Sequence, residues 1–197
     1  MENYEKTGSY HLSEKEIQLI TNALNNDIIQ AKSDIKLKKA YNNKLLFVLG
    51  INLGISTDDF RKLKWDFFFD ENYNFKEFYF ICNKSNKKIK LYFNEDIKCV
   101  ISEYIEKYPI SDYEEYIFVS KNNNPITVQN MWLILKNISN KAKIDRNIGI
   151  CSLKKTWGYN CLNNAKDKYK ALIILQNCFN HPSTRYTLKY IGVNKNN

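Results

Sequence analysis

A histidine and a tyrosine near the end of the chain have the residue types and spacing that a phosphoryl-transfer site needs. His181 opens the segment His-Pro-Ser-Thr-Arg-Tyr-Thr-Leu-Lys-Tyr, which ends at Tyr190. A tyrosine hydroxyl can attack phosphorus and form a covalent intermediate, and an imidazole can assist with the proton. The chain has 2 histidines, so His181 is not part of a general scatter, although an ordinary tyrosine, one of 14, is the alternative interpretation of Tyr190.

The charge balance favours a polyanionic partner. Lys and Arg number 30 against 21 Asp and Glu, which gives a formal net charge of +9 and a pI near 9.2. Because such an excess neutralises phosphates and releases their counterions, nucleic acid is the simplest partner. A lysine-rich solvated surface encoded by an AT-rich genome is the alternative that composition alone leaves open.

The composition also indicates a globular protein of the cytoplasm. Hydrophobic residues make up 44% of the chain, enough for one sizeable core. No apolar run approaches the roughly 20 residues that span a bilayer, so we expect no membrane association. The histidines and cysteines lack metal-ligand spacing and there is no glycine-rich phosphate loop, so we expect neither a metal nor a cofactor. The cysteines form no Cys-x-x-Cys pair and are expected to be reduced and mostly buried: Cys82, Cys99, Cys151, Cys161 and Cys178.

Helical signals dominate the first and last parts of the chain. Ser13 and Glu16 form a capping box before an apolar pattern of helical spacing. A second helix is predicted over 35–53, with Gly54 after its last turn, and Thr127 is a good N-cap for a helix that ends near Ala142. Further helices are predicted near 57, over 95–108, 153–163 and 168–179, and in a short terminal segment that carries Tyr186 and Tyr190.

Aromatic and β-branched residues predict a small sheet between these helices. Three strands are predicted, over 67–69, 77–82 and 89–93, and polar residues join the last two as a hairpin. The rings of 67–69, Phe75, Phe78 and Phe80 are expected to pack in the core rather than form a base-stacking platform. The predicted fold is mainly α with a small three-stranded antiparallel sheet. It forms one domain over 12–193, with disordered segments at 1–11 and 194–197.

Five landmarks, taken in order along the chain, resemble the catalytic domain of tyrosine recombinases, the phage-integrase family. They are the helix start at 12–16, the Gly-to-Leu-Lys-Trp segment at 53–65 and the lysine-bearing turn at 83–91. The fourth is Cys-Ser-Leu-Lys-Lys-Thr-Trp at 151–157, where the family has a His-x-x-Arg box, and the fifth is 180–190. Together they cover the chain from about 12 to 193.

The resemblance implies a role for several residues. Tyr190 matches the family's nucleophile, and His181 matches the histidine that precedes it. Lys84 matches the hairpin lysine that serves as the general acid, with Lys87 and Lys88 as rivals in the same turn. In the family, two arginines hold the non-bridging phosphate oxygens as charge builds on them.

The chain departs from the family at the arginine positions. Ser56 occupies the first and Lys154 the second, while Cys151 replaces the histidine of the second box. Lysine keeps the charge but loses the planar fork that grips two oxygens. Because one preorganised donor is worth roughly 3–4 kcal/mol, we expect strand cleavage to be absent or severely weakened while DNA binding survives. Arg146 and Arg185 are the arginines that could substitute.

Basic residues in several segments are expected to contact phosphates of double-stranded DNA: Lys36, Lys38, Lys39, Lys87, Lys88, Lys155 and Arg185. Unrelated solvated faces are the alternative. Three hypotheses follow: a mobile-element recombinase with a rearranged site, a noncatalytic DNA-binding or architectural factor on the same fold, and a basic helical interaction module without a DNA role. We expect a monomer in solution that can oligomerise on DNA.

Overall fold

The computed structural model describes residues 10–82, 88–120 and 122–193. Within these ranges α-helices precede and follow one hairpin of two antiparallel strands, β1 (Phe78–Cys82) and β2 (Lys88–Tyr92). The helices are α1 (Glu14–Ile29), α2 (Asp34–Leu53), α3 (Thr57–Arg61), α4 (Glu95–Lys107), α5 (Val128–Lys141), α6 (Ile150–Asn164), α7 (Lys168–Phe179) and α8 (Thr184–Ile191). The predicted fold class, mainly α with a small antiparallel sheet, is confirmed.

Local capping chemistry sets the helix boundaries where the sequence predicted them. Ser13 and Glu16 form the expected capping box at the start of α1. The Thr127 hydroxyl accepts a hydrogen bond from the Asn130 backbone N–H at 3.1 Å and so begins α5. Gly54 follows α2 with a φ of 64°, a left-handed conformation that glycine adopts without strain.

The sheet has two strands in the described residues rather than the three predicted. Residues 67–69 are not a strand: Trp65–Phe67 form a 3₁₀ turn, and Phe69 makes one isolated bridge to Phe75. The rings of Phe67, Phe68 and Phe69 are all buried. A strand would send consecutive side chains to opposite faces, whereas a tight turn can direct all three into the core.

The core is organised around α2, which packs against α1, α4 and α6. Its buried side chains lie on more than one side of the helix and include Leu45, Leu46, Phe47 and Leu49, as expected of a helix surrounded by others. Helices α6, α7 and α8 pack together as a second layer at the α6 side. This layer carries the candidate site.

The expectation that the cysteines are mostly buried is wrong. All five are free thiols, and Cys82, Cys99 and Cys151 are exposed. Burial raises the pKa of Cys161 to about 12 and that of Cys178 to about 11, so these two half-buried thiols stay protonated at neutral pH. In the part of the chain that the structure describes, no helix is long and apolar enough to cross a bilayer.

Candidate active site

The α6–α7–α8 layer brings the predicted site residues close because its helices approach each other at a glycine. A methyl group added at Gly158 of α6 would lie 2.8 Å from Phe179 Cζ and 3.0 Å from Ile191 Cγ2. Phe179 is the last residue of α7, and Ile191 is the last residue of α8. The absence of a side chain at Gly158 therefore allows the ends of both helices to pack on α6.

Four polar groups gather around the Phe179 ring. The His181 and Tyr190 rings each lie 5.2 Å from it, and they meet each other edge to face with centroids 4.8 Å apart. Lys154 Nζ lies 5.0 Å from the centroid of Phe179, and Lys155 Nζ lies 5.0 Å from the centroid of Tyr190. The structure thus brings a phenol, an imidazole and two ammonium groups to one place.

A left-handed residue and a buried hydroxyl hold His181 in this position. Asn180 ends α7 with a φ of 54°, which turns the chain toward α8. The His181 ring nitrogen Nδ1 lies 3.1 Å from the Thr187 hydroxyl, and that hydroxyl donates to the Ser183 carbonyl at 3.3 Å. The hydrogen bond between Nδ1 and Thr187 orients the ring, and a neutral imidazole keeps one nitrogen as a proton acceptor.

The imidazole is neutral at physiological pH. Burial, followed by the positive charge of Lys154, lowers the pKa of His181 from its ordinary 6.5 to about 4. A neutral imidazole can take a proton from a nearby phenol, and two phenol rings pack on His181: Tyr190 with centroids 4.8 Å apart and Tyr186 with centroids 4.9 Å apart.

We expect the His181 C2–H resonance to titrate in NMR with a midpoint near pH 4 and to move upward in the Lys154→Gln variant. Removing the Lys154 charge removes one of the two causes that depress the pKa. Lys155→Gln is the matched control, because Lys155 is not among the groups that shift His181. A wild-type midpoint near 6.5 would contradict this description of the site.

The same shift predicts how stability depends on pH. The unfolded chain, with a His181 pKa near 6.5, binds more protons than the folded chain between about pH 4 and 6.5. His181 therefore contributes stability that is present above this window and lost as the pH falls through it.

Lys154 and Lys155 of α6 lie over different rings, Lys154 over Phe179 and Lys155 over Tyr190. Burial lowers the pKa of Lys155, and the neighbouring Cys151 acts in the opposite direction. Cys151 is exposed in the first turn of α6 and lies within electrostatic reach of Lys155, so the predicted Cys151 position borders the cluster. Both ammonium groups sit against aromatic rings, which restricts where their long side chains can point.

The Ser56 hydroxyl is used to cap a helix. Its Oγ accepts from the Asp59 N–H at 3.1 Å and donates to Asp59 Oδ2 at 2.5 Å, which caps α3. The loop that carries it touches the site through Trp157. A methyl group added at Gly54 would lie 2.1 Å from Trp157 Cε3, and the Trp157 ring packs on Phe179 with centroids 5.7 Å apart.

Arg146, one of the two arginines proposed as substitutes for the missing pair, is held in an ion pair with Glu16. Arg146 binds Glu16 through Nε and Nη2, both at 2.7 Å, and Nη2 also donates to the His11 carbonyl at 3.0 Å. This ion pair is the main reason that the Glu16 pKa falls to about 2. Arg146 thus fastens the start of the chain to the loop before α6, and the expectation that it could replace a lost arginine is wrong.

The remaining basic residues lie on the surface. Arg185 is exposed in the first turn of α8, and Arg61 pairs with Asp58 at 3.1 Å. The lysines predicted to contact DNA from α2 and β2 are also exposed: Lys36, Lys38, Lys39 and Lys88. Lys84 and Lys87 lie outside the described residues, so the predicted general acid is not placed.

Three residues with a part in the site were not identified from the sequence. Phe179 is the ring on which the cluster is built, Trp157 joins it to the Gly54 loop, and the Thr187 hydroxyl is hydrogen-bonded to His181 Nδ1. Thr187 lies six residues after His181 and three residues before Tyr190. This spacing was the available signal that Thr187 lies in the same helix as Tyr190. The roles of the two rings depend on tertiary packing and leave no local pattern.

The fold and the site define a member of the phage integrase family. A model of that family matches residues 11–197, so the chain belongs to it, and the resemblance inferred from the five landmarks is confirmed. One curated relative, the probable integrase/recombinase YoeC of Bacillus subtilis (strain 168), is 28% identical over 168 residues. That match covers 85% of this chain and 86% of the relative.

Solved structures of two recombinases and a transposon integrase share the fold. The XerH site-specific recombinase in its post-cleavage complex matches with a TM-score of 0.69 and 18% identity, over 99% of this chain and 53% of that one. XerA recombinase matches with a TM-score of 0.67 and 18% identity, over 94% and 61%. The Tn1549 transposon integrase matches with a TM-score of 0.56 and 14% identity, over 91% and 60%. The chain therefore spans between half and two thirds of the length of these structures.

Proposed function

We propose that this protein binds double-stranded DNA and carries the strand-cleavage site of a tyrosine recombinase in a weakened form. The observation that carries the proposal is the cluster around Phe179, in which Tyr190, His181, Lys154 and Lys155 meet. A phenol beside a neutral imidazole and two ammonium groups supplies the nucleophile, the proton acceptor and the cations for attack on a phosphodiester. Of the substrates that a basic surface attracts, a phosphodiester is the one that these groups suit.

The net charge and the solved structures of similar proteins support double-stranded DNA as the ligand. The net charge of +9 gives the chain an attraction for polyanions. XerH has been solved bound to its difH substrate, and the Tn1549 integrase in complex with circular intermediate DNA. Membership of the phage integrase family favours site-specific recombination as the process and a mobile element as the source.

The proposed cleavage step uses the described groups in sequence. The Tyr190 oxygen attacks phosphorus and passes its proton to the His181 imidazole, while the bond from phosphorus to the leaving sugar oxygen breaks. The Lys154 and Lys155 ammonium groups stabilise the negative charge that builds on the non-bridging oxygens. The leaving sugar oxygen takes a proton from a hairpin lysine, for which Lys84 is the proposed donor and Lys87 and Lys88 the alternatives.

The weak part of this site is the clamp, the pair of positions at 56 and 154 whose side chains would hold the non-bridging phosphate oxygens. A lysine offers a point charge where a guanidinium offers two parallel donors, and the Ser56 hydroxyl offers no charge. Losing one preorganised donor costs roughly 10²–10³ in rate. We therefore propose cleavage that is several orders of magnitude slower than the fold would support with both arginines.

A covalent-capture experiment tests the proposal. Duplexes with a randomised centre and a nick on one strand lose the short fragment after cleavage, so each attack leaves the protein attached to DNA. We expect duplex binding at nanomolar to micromolar protein, together with a slowly accumulating adduct that survives denaturation. Tyr190→Phe should abolish the adduct and leave binding unchanged, and Tyr186→Phe is the matched control on the same helix. An adduct that persists in Tyr190→Phe, or no duplex binding, would sink the proposal.

A noncatalytic DNA-binding factor is the second candidate. It is favoured by the Ser56 hydroxyl, which caps α3, and by Arg146, which is paired with Glu16. Duplex binding without any Tyr190-dependent adduct over hours, at any sequence in the pool, would select this candidate.

A further inference from the structure

The hairpin exposes a row of aromatic rings on the side that faces away from the core. In the antiparallel register Phe78 pairs with Tyr92 and Phe80 pairs with Lys90, so these four side chains share one face. The other face carries Tyr79, Ile81, Ile89 and Leu91 and packs on the core. The prediction that Phe80 packs in the core is therefore wrong, because Phe80 lies on the face opposite the one that packs on the core.

The exposed rings form one connected surface. Phe80 is 52% exposed and Tyr92 is 65% exposed. The Phe78 ring lies between them, 5.4 Å from Phe80 and 6.0 Å from Tyr92 by ring centroids. Rings that remain this accessible on a folded domain commonly mark a binding surface.

A lysine lies within this surface. Lys90 Nζ is 3.6 Å from the centroid of Phe78 and 4.7 Å from that of Tyr92, and the exposed Lys88 follows on the same face. The face contains no carboxylate among the described residues of β1 and β2. It therefore combines accessible π-surfaces with positive charge.

We propose that this aromatic hairpin face, formed by Phe78, Phe80, Lys88, Lys90 and Tyr92, binds unpaired nucleotides of single-stranded DNA. Bases stack on aromatic rings, and ammonium groups contact the phosphates between them. In a duplex the base faces are already stacked and inaccessible, so the rings select unpaired strands. An apolar protein partner fits less well, because it would have to bury the Lys88 and Lys90 ammonium groups, which the phosphates of an unpaired strand would neutralise.

The position of the hairpin places this ligand near the candidate active site. Lys90 and Tyr92 line a cavity of 460 Å³ whose other wall includes Trp157 and Asn160 of α6. Trp157 packs on Phe179, the ring at the centre of the cluster. A strand that has become unpaired at the site would thus reach the aromatic hairpin face by a short path. This binding is additional to the duplex binding proposed above.

Fluorescence anisotropy with labelled oligonucleotides tests the inference. A 10-nucleotide oligothymidylate, an abasic strand of the same length and a closed DNA hairpin separate base stacking from phosphate attraction. We expect the protein to bind oligothymidylate more tightly than the abasic strand. Phe80→Ala and Tyr92→Ala should each weaken oligothymidylate binding roughly 5- to 100-fold and change binding of the abasic strand and of the duplex less than twofold.

The controls keep each outcome interpretable. Tyr169 is 73% exposed on α7, so Tyr169→Ala removes a ring of similar exposure elsewhere and should change nothing. Thermal melting shows that each variant is folded. The inference is overturned if both variants bind oligothymidylate as the wild type does, or if they lose oligothymidylate and abasic strand equally. It is also overturned if they only shift the sedimentation coefficient, which would identify the face as a contact between two copies. Duplex binding and covalent capture are measured separately, so the proposed function can stand when this inference fails.

Discussion

Placing arginine at both Ser56 and Lys154 is expected to raise the rate of covalent DNA capture by about 10²–10⁴ over the wild-type protein. The two changes restore a forked, permanently charged donor at each of the two positions that the family resemblance identifies. The Tyr190 and His181 rings already lie 4.8 Å apart by their centroids.

The geometry supports both substitutions. Lys154 Nζ already lies over Phe179, and a guanidinium stacks on a ring at least as well as an ammonium does. The Ser56 loop reaches the site through the contact of Gly54 with Trp157, which packs on Phe179. A long side chain at 56 starts two residues after Gly54, which contacts Trp157.

The experiment compares initial rates on the same nicked, randomised duplex pool, so the unknown target sequence affects all variants alike. Ser56→Arg also removes the α3 cap, which costs about 1 kcal/mol, and Ser56→Ala measures that loss alone. Lys155→Arg is the matched control for adding a guanidinium beside Tyr190. If the double variant binds duplex normally and captures DNA no faster than the wild type, the clamp positions are not Ser56 and Lys154.

Several elements could be predicted because their signals are local. The caps at Ser13 and Thr127 and the terminator Gly54 act within one helical turn, so their effect can be read from adjacent residues. The spacing of His181 and Tyr190 was equally readable. A tight turn and the short helix α8 carry the two rings close together, whereas the packing of α7 and α8 on α6 depends on Gly158.

Other features depend on contacts between distant segments. Arg146 binds Glu16 across 130 positions of sequence, so its proximity to the second arginine box suggested a role that it does not have. Phe179 is the last residue of α7, and nothing local distinguishes it from a core ring. The turn at Trp65–Phe67 carries residues of high β-propensity, and burial of three consecutive rings overrode that propensity.

Duplex affinity is expected to depend steeply on salt, with a loss of roughly 10²–10³ between 50 and 200 mM monovalent salt. About five phosphate contacts give a slope near −4.5 in a plot of log affinity against log salt. The described basic residues proposed for this surface fall into two groups. One is Lys36, Lys38 and Lys39 on α2, and the other is Lys88 on β2, Lys155 on α6 and Arg185 on α8.

The two groups allow the footprint to be measured. The α2 helix has 20 residues and is roughly 30 Å long. Lys36, Lys38 and Lys39 lie at the end of this helix opposite Gly54. A duplex that touches both groups must therefore follow the protein for most of a helical turn. Each substitution of a contacting cation by glutamine should reduce the slope by about 0.9, whereas Lys166→Gln, an exposed lysine outside both groups, should leave it unchanged.

The pattern of slopes distinguishes the alternatives that charge alone leaves open. If substitutions in both groups flatten the slope, the duplex lies along α2 and reaches the Phe179 cluster. If only Lys88, Lys155 and Arg185 matter, the footprint is local to the site and the α2 lysines are a solvated face. A slope that no substitution changes would mean that the duplex does not use this surface. The cluster of Tyr190, His181 and Lys154 would then lack the substrate that gives it a function.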